Sequence, residues 1–113
     1  MNDGPSEALT LAEVLRGAAS ELGDVTEDRA GTATSWSRGG IAFAVLDGAR
    51  AEFRLDPLVA RAALRTPDTT SSGRGPDWVT FAPLELDESA ADRADAWFLS
   101  AHRRAMPGGR AGR

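Results

Sequence analysis

The spacing of apolar and polar positions changes from a strand pattern to a helix pattern between Trp36 and Leu64. This stretch reads WSRGGIAFAVLDGARAEFRLDPLVARAAL. Apolar residues alternate with small or charged ones over 40–46 and 49–55, which predicts two strands joined by a tight turn. The pair Asp56-Pro57 then supplies an N-cap residue and a proline suited to the first helical position. The pattern therefore predicts a β-hairpin followed directly by a helix.

The loop of this hairpin decides which side chains share a face. A two-residue loop at Asp47-Gly48 would put apolar and charged residues on the same side of the sheet. A three-residue loop over 46–48, with Gly48 in the left-handed conformation, shifts the register by one residue and separates them. We therefore expect the three-residue loop. It predicts an apolar face of Ile41, Phe43, Val45, Ala49, Ala51 and Phe53, and an opposite face of Ala42, Ala44, Arg50, Glu52 and Arg54.

Two further helices carry recognisable start signals. Thr10 and Glu13 have the spacing of a capping box, with Leu9 and Val14 at hydrophobic-staple positions, and they predict a helix over 11–22 that ends before Gly23. A second amphipathic stretch predicts a helix over about 88–105, with Asp87 or Ser89 as its N-cap. Its apolar stripe contains Ala90, Ala94, Trp97, Phe98, Ala101 and Ala105.

The remaining segments are assigned by composition. Residues 31–36 and 78–82 are predicted strands, and 37–40 is a turn. Residues 24–31 are polar and carry no strand pattern. Residues 67–77, PDTTSSGRGPD, contain no hydrophobic residue and are expected to form a long mobile loop. The helix that starts at Pro57 should end before Thr66-Pro67.

These elements predict one α+β domain. The expected order is α-β-β-β-α-β-α, with an antiparallel sheet of about four strands and the helices packed on one face. Residues 9–105 form the domain, 1–8 a flexible N-terminus and 106–113 a disordered tail. The predicted core contains Leu11, Leu15, Leu22, Ile41, Phe43, Val45, Phe53, Leu55, Val79, Phe81, Trp97 and Ala101.

Composition narrows the classes of function. The 113 residues include no Cys, which excludes disulfides and zinc-thiolate sites. All 13 basic residues are Arg, a bias that GC-rich codons explain, so the genome is expected to be GC-rich. The net charge is −4, which opposes binding to duplex DNA through overall charge. No signal peptide or apolar span is visible, so we expect a cytoplasmic protein without membrane attachment.

Catalytic and metal-binding groups are scarce. His102 is the only histidine, and its place beside the apolar helix stripe indicates a half-buried helix residue. Ser71 and Ser72 lie in a predicted loop with no base legible beside them in the sequence, so we expect no catalytic residue and no enzyme activity. With no Cys and one His, a metal site would have to consist of carboxylates. We expect no metal and no cofactor.

The best binding candidates are on the polar face of the hairpin. Arg50 and Arg54 should project from one side of a strand on either side of Glu52, with Arg38 in the neighbouring turn. Arginine side chains match the oxygens of phosphates and carboxylates. The alternative is that Glu52 simply neutralises both arginines on a solvated face. Gly40, Ala42 and Ala44 should leave the same face smooth enough for a protein partner or a second copy.

The element order, together with four local features, resembles the MmcQ/YjbR family of small bacterial proteins, whose fold is described as CyaY-like. These features are Phe43-Ala44, the turn that follows, the helix start at Asp56-Pro57, and Trp78-Val79 before the last helix. The resemblance covers about residues 8–105. Members of this family are often labelled DNA-binding by analogy of shape, so the resemblance implies DNA binding. The related frataxin-like fold implies iron binding by acidic residues near the first helix, here Glu7, Glu13, Glu21, Asp24, Glu27 and Asp28.

Together these observations predict a small non-catalytic binding or interaction module. Its expected partner is a protein or a second copy, bound through the exposed face of the sheet. The alternative is a nucleic-acid-associated protein of the MmcQ/YjbR type that uses a local arginine face. Nucleic acid is possible, but the net charge disfavours it.

Overall fold

The computed structural model describes residues 10–105, which form three helices and one six-stranded antiparallel sheet. The sheet order is β1-β2-β3-β4-β6-β5. The α+β class is confirmed, but the sheet has six strands where about four were predicted. No helix among these residues combines the length and the apolar character that crossing a membrane requires. In chain order the elements are α1 (Leu11–Ser20), β1 (Thr26–Ala30), β2 (Ala33–Arg38), β3 (Ile41–Asp47), β4 (Arg50–Arg54), α2 (Pro57–Ala63), β5 (Thr69–Ser71), β6 (Trp78–Phe81) and α3 (Glu88–Arg104).

The two strands that the sequence did not predict lie at the two edges of the sheet. Every residue of β1 is exposed, so its sequence TEDRA has no apolar alternation to reveal it. A Gly31-Thr32 loop joins it to β2, with Gly31 at a φ of 63°. At the other edge, β5 pairs with β6 through Thr69 and Phe81. The predicted loop over 67–77 is therefore interrupted by a strand at 69–71, and residues 72–77 form the loop that joins β5 to β6.

The helix starts agree closely with the sequence signals. Thr10 Oγ1 accepts a hydrogen bond from the Glu13 backbone N–H at 3.2 Å, and Glu13 Oε1 accepts one from the Thr10 N–H at 3.0 Å. Asp56 caps α2, and Asp87 rather than Ser89 caps α3. The helix α1 ends at Ser20, two residues before the predicted end, with Glu21 as its C-cap. The predicted staple residue Leu9 lies outside the described residues, as do the segments 1–8 and 106–113.

The central hairpin differs from the prediction in both its loop and its faces. Asp47 pairs with Arg50, so the loop is the two residues Gly48-Ala49, with Gly48 at a φ of 65°. A β-bulge leaves Phe43 without a partner on β2, because Trp36 pairs with Ala44 and Ser37 pairs with Ala42. A bulge lets two successive side chains lie on one side of a sheet. Phe43 and Ala44 are therefore both fully buried beneath the helices.

This bulge corrects two predictions. Val45 is placed on the face away from the helices, between Ser35 and Glu52, instead of sharing a face with Phe43. It is buried there but lies outside the main core cluster. Ala44 belongs to the core, so the predicted smooth surface of Gly40, Ala42 and Ala44 loses its third member.

The core lies between the sheet and α3, and it is aromatic. Phe98 of α3 contacts Trp36 and Phe43 edge-on, with ring centroids 5.4 and 5.2 Å apart. Trp97 contacts Phe81 in the same way at 5.2 Å. Helix α1 packs on α3, while Ala60 and Ala63 of α2 also join the core. Of the predicted core residues, Leu22 and Ile41 are only partly buried. Within residues 10–105 the helices thus cover one face of the sheet and leave the other open.

Candidate binding face

The face of the sheet opposite α3, here called the open face, carries the charged residues of β4. Along this strand Ala51 and Phe53 are fully buried, whereas Arg50 is exposed and Glu52 and Arg54 are half-buried. Because strand side chains alternate between faces, Arg50, Glu52 and Arg54 all lie on the open face. The structure therefore brings these three predicted site residues together. Glu52 lies opposite Val45 on the neighbouring strand β3 and opposite Thr80 on the neighbouring strand β6.

Glu52 is bound by the β5–β6 hairpin. Ser72 Oγ donates a hydrogen bond to Glu52 Oε2 at 2.7 Å, and Arg74 Nε donates one to Glu52 Oε1 at 2.7 Å. Thr80 Oγ1 donates a longer bond at 3.4 Å. Burial raises the pKa of Glu52, but the bonds from Ser72 and Arg74 and the charges of Arg74 and Arg50 outweigh it, so the pKa lies below its ordinary value. Glu52 is thus ionised and already satisfied at neutral pH.

Arg50 and Arg54 have no carboxylate partner among the residues that the structure describes. No ion pair within residues 10–105 includes either guanidinium. The interpretation in which Glu52 neutralises both arginines does not match this geometry, because Arg74 makes the ion pair with Glu52. Arg50 acts on Glu52 only as a weaker, through-space charge. Two cationic groups therefore remain available on the open face.

An aromatic ring lies beside these arginines. Trp78 is opposite Arg54 in the register between β4 and β6, and it is half-buried on the open face. The guanidinium of Arg74 lies over the Trp78 ring, 5.6 Å from its centroid. Arg54, Arg74 and Trp78 thus form a corner that combines positive charge with an aromatic surface.

Arg38 is not part of this face. It ends β2 and points to the helix side, where its Nε donates to Asp24 Oδ2 at 2.7 Å and its Nη1 donates to the backbone carbonyl of His102 at 2.9 Å. The side chain is only 21% exposed. β3 separates β2 from β4, so the predicted cluster of Arg38 with Arg50 and Arg54 does not form.

The same contacts place His102 in a second cluster that the sequence did not reveal. His102 Nε2 and Asp24 Oδ1 are 2.7 Å apart, and the imidazole ring packs edge-on against Phe43 at 5.6 Å. The hydrogen bond with His102 lowers the pKa of Asp24, and Arg38 adds to the effect against the opposing influence of burial. The cluster joins the segment after α1, the end of β2 and the last turn of α3. The role that this arrangement suits is structural, because its contacts hold these three segments together.

Neither catalytic nor metal-binding geometry accompanies these clusters in the described part of the chain. Within residues 10–105, no serine or threonine hydroxyl bonds to the His102 ring, whose hydrogen bond goes to Asp24. The same residues contain no group of three or more His, Asp or Glu side chains placed to hold a metal ion. Of the acidic residues considered for iron, Glu7 lies outside this range.

Comparisons of the chain with protein-family models, with curated proteins and with solved structures found no match.

Proposed function

We propose that this chain is a non-catalytic binding module whose open face holds an acidic segment of a partner protein. The observation that carries the proposal is the division of charge along β4. Glu52 is held by Ser72 and Arg74, while Arg50 and Arg54 on either side of it have no anionic partner within the described residues. A carboxylate of the partner protein would supply an anionic partner for each of these arginines.

The positions of these arginines suit recognition. Arg50 and Arg54 are four residues apart on a strand, which separates their backbones by about 13 Å. Each of the two guanidinium groups can bind one carboxylate through two parallel hydrogen bonds. An extended acidic segment laid across β4 could reach both, while the Glu52 carboxylate, neutralised by Arg74, adds little repulsion between them.

The overall charge supports a protein partner over a polyanion. At a net charge of −4, the chain as a whole repels nucleic acid, although local arginine surfaces such as the one around β4 attract it. An acidic peptide segment carries few charges and makes contacts only where it lies. Local arginines are therefore sufficient for it, whereas nucleic-acid binding usually relies on a wider basic surface.

The test is a binding titration of a fluorescently labelled Glu-rich peptide, followed by anisotropy at low and near-physiological salt. We expect Arg50→Ala/Arg54→Ala to weaken binding roughly tenfold, since each exposed ion pair contributes about 0.2–1 kcal/mol. The matched control is Arg29→Ala/Arg103→Ala, which removes two exposed arginines that are not part of β4 and should leave the affinity unchanged. Equal loss in both double variants, or in neither, would overturn the proposal.

A second candidate is binding to single-stranded nucleic acid, a narrower form of the DNA binding that the resemblance to the MmcQ/YjbR family implies. It is supported by Trp78 beside Arg54 and Arg74, because an aromatic ring next to guanidinium groups can stack a base and hold its phosphate. A labelled single-stranded oligonucleotide in the same assay separates the two candidates. Loss of its binding in Trp78→Ala, with the peptide unaffected, would favour this second function. The family resemblance itself stays a prediction.

A further inference from the structure

A groove runs between α1 and α3 on the side of these helices away from the sheet. It has a volume of about 420 Å³, and its apolar floor includes Val14, Ala18 and Leu99. Its rim carries four carboxylates, two from each helix: Glu13, Glu21, Asp92 and Asp95. None of the four makes an ion pair within residues 10–105. The groove therefore combines an apolar floor with a negatively charged rim.

Gly17 lies in this groove, where the packing of the described residues does not require a glycine. A Cβ at this position would meet no atom within 4 Å, so packing does not require a glycine there. Glycine inside a helix costs about 1 kcal/mol relative to alanine. Because Gly17 has no side chain, another molecule can come close to the α1 wall of the groove.

The outer surface of α2 has the complementary character. Leu58, Arg61, Ala62 and Arg65 are all exposed, and their spacing of three and four residues places them on one side of the helix. The turn continues to Arg65, whose N–H donates to the Ala62 carbonyl at 3.1 Å. Leu58 is 71% exposed, which is unusual for a large apolar side chain on an otherwise packed helix. Neither Arg61 nor Arg65 makes an ion pair within the described residues.

We propose that the outer stripe of α2 from one copy docks into the α1–α3 groove of a second copy. The dimensions agree, since the groove from Glu13 to Glu21 spans about 12 Å of helix and the stripe from Leu58 to Arg65 about 10 Å. Leu58 and Ala62 lie on the apolar floor, and Arg61 and Arg65 reach the carboxylates of the rim. This contact uses neither Arg50 nor Arg54, so it is independent of the open face.

The two surfaces are different, so the contact is heterologous. Each copy that uses its groove still has a free α2, and each that uses α2 still has a free groove. Such head-to-tail contacts extend to further copies unless their rotation closes a ring. The stripe is short, so the association should be weak and become visible only at high protein concentration.

The test is sedimentation equilibrium of the full chain from about 10 µM to about 1 mM, at low and high salt. We expect the weight-average mass to rise with concentration and to fall back towards the monomer at high salt. Two charge-reversed variants should each stay monomeric on their own: Arg61→Glu/Arg65→Glu on α2 and Asp92→Arg/Asp95→Arg on the groove. Mixed together they should associate again, because the unaltered groove of the first variant then meets the unaltered α2 stripe of the second.

The control is Arg50→Ala/Arg54→Ala, which should self-associate like the wild type. Circular dichroism of each variant checks that its helices are intact. A wild-type chain that stays monomeric at about 1 mM and low salt would overturn the proposal. So would a mixture of the two charge-reversed variants that fails to associate while both remain folded.

Discussion

The two sides of the sheet are built from the same strands but differ in what they bury. On the helix side, Trp36, Phe53 and Phe81 are fully buried beneath α3. On the open side, β4 presents Arg50, Glu52 and Arg54. Alternation along one strand can therefore separate residues that stabilise the core from residues that are free to bind a partner. Substitutions of the buried side chains should act on folding, and substitutions of Arg50 and Arg54 should act on binding.

The largest expected effect is on the helix side. Phe98→Ala removes the ring that packs against both Trp36 and Phe43, and it should lower the free energy of unfolding by about 3–5 kcal/mol. Urea unfolding followed by circular dichroism measures this change. Leu58→Ala, which truncates a side chain that is 71% exposed, is the control and should change it by less than about 0.5 kcal/mol. Similar losses in both variants would contradict the placement of Phe98 at the centre of the core.

A loss of folding stability of intermediate size should appear at acidic pH. Asp24 contributes to it on the helix side and Glu52 on the open side. The folded-state pKa values of Asp24 and Glu52 are both lowered, so their stabilising contribution is fully present above the unfolded pKa values. It is lost as the pH falls through the folded values, which places the fall in stability below about pH 4. Urea unfolding from pH 7 to pH 3 measures it. Glu52→Gln and Asp24→Asn should each flatten part of this dependence, and a profile unchanged in both would contradict the assignment.

The smallest effect on folding should come from the arginines of the open face. Arg50→Ala/Arg54→Ala removes no ion pair within residues 10–105, so its free energy of unfolding should stay within about 0.5 kcal/mol of the wild type. The same urea experiment decides this. A loss of several kcal/mol would show that these side chains support the fold, and their role in binding would then need another explanation.

The features that could be predicted from the sequence are those whose causes are local. The capping box at Thr10, the start of α2 at Asp56-Pro57 and the alternation in β4 depend on residues within a few positions of one another. The bulge at Phe43 could not be predicted, because it appears only when β3 pairs with β2. The edge strand β1 was missed because all of its residues are exposed.

The candidate site was predicted in part for the same reason. Arg50, Glu52 and Arg54 share a strand, so their common face followed from their spacing. The partners of Glu52 are 20 and 22 residues away in the chain, at Ser72 and Arg74, and no local pattern connects them. The contact between Asp24 and His102 joins positions 78 residues apart. Such pairs depend on the packing of the whole chain.

The most direct test of the open face as the recognition surface uses the three tryptophans. Trp78 is on the open face, Trp36 is buried with its Nε1–H donating to Glu27, and Trp97 is packed in the core. In an NMR titration with a Glu-rich peptide, we expect the indole N–H signal of Trp78 to shift while those of Trp36 and Trp97 stay in place. Shifts confined to Trp36 or Trp97, or no shift at all, would contradict it.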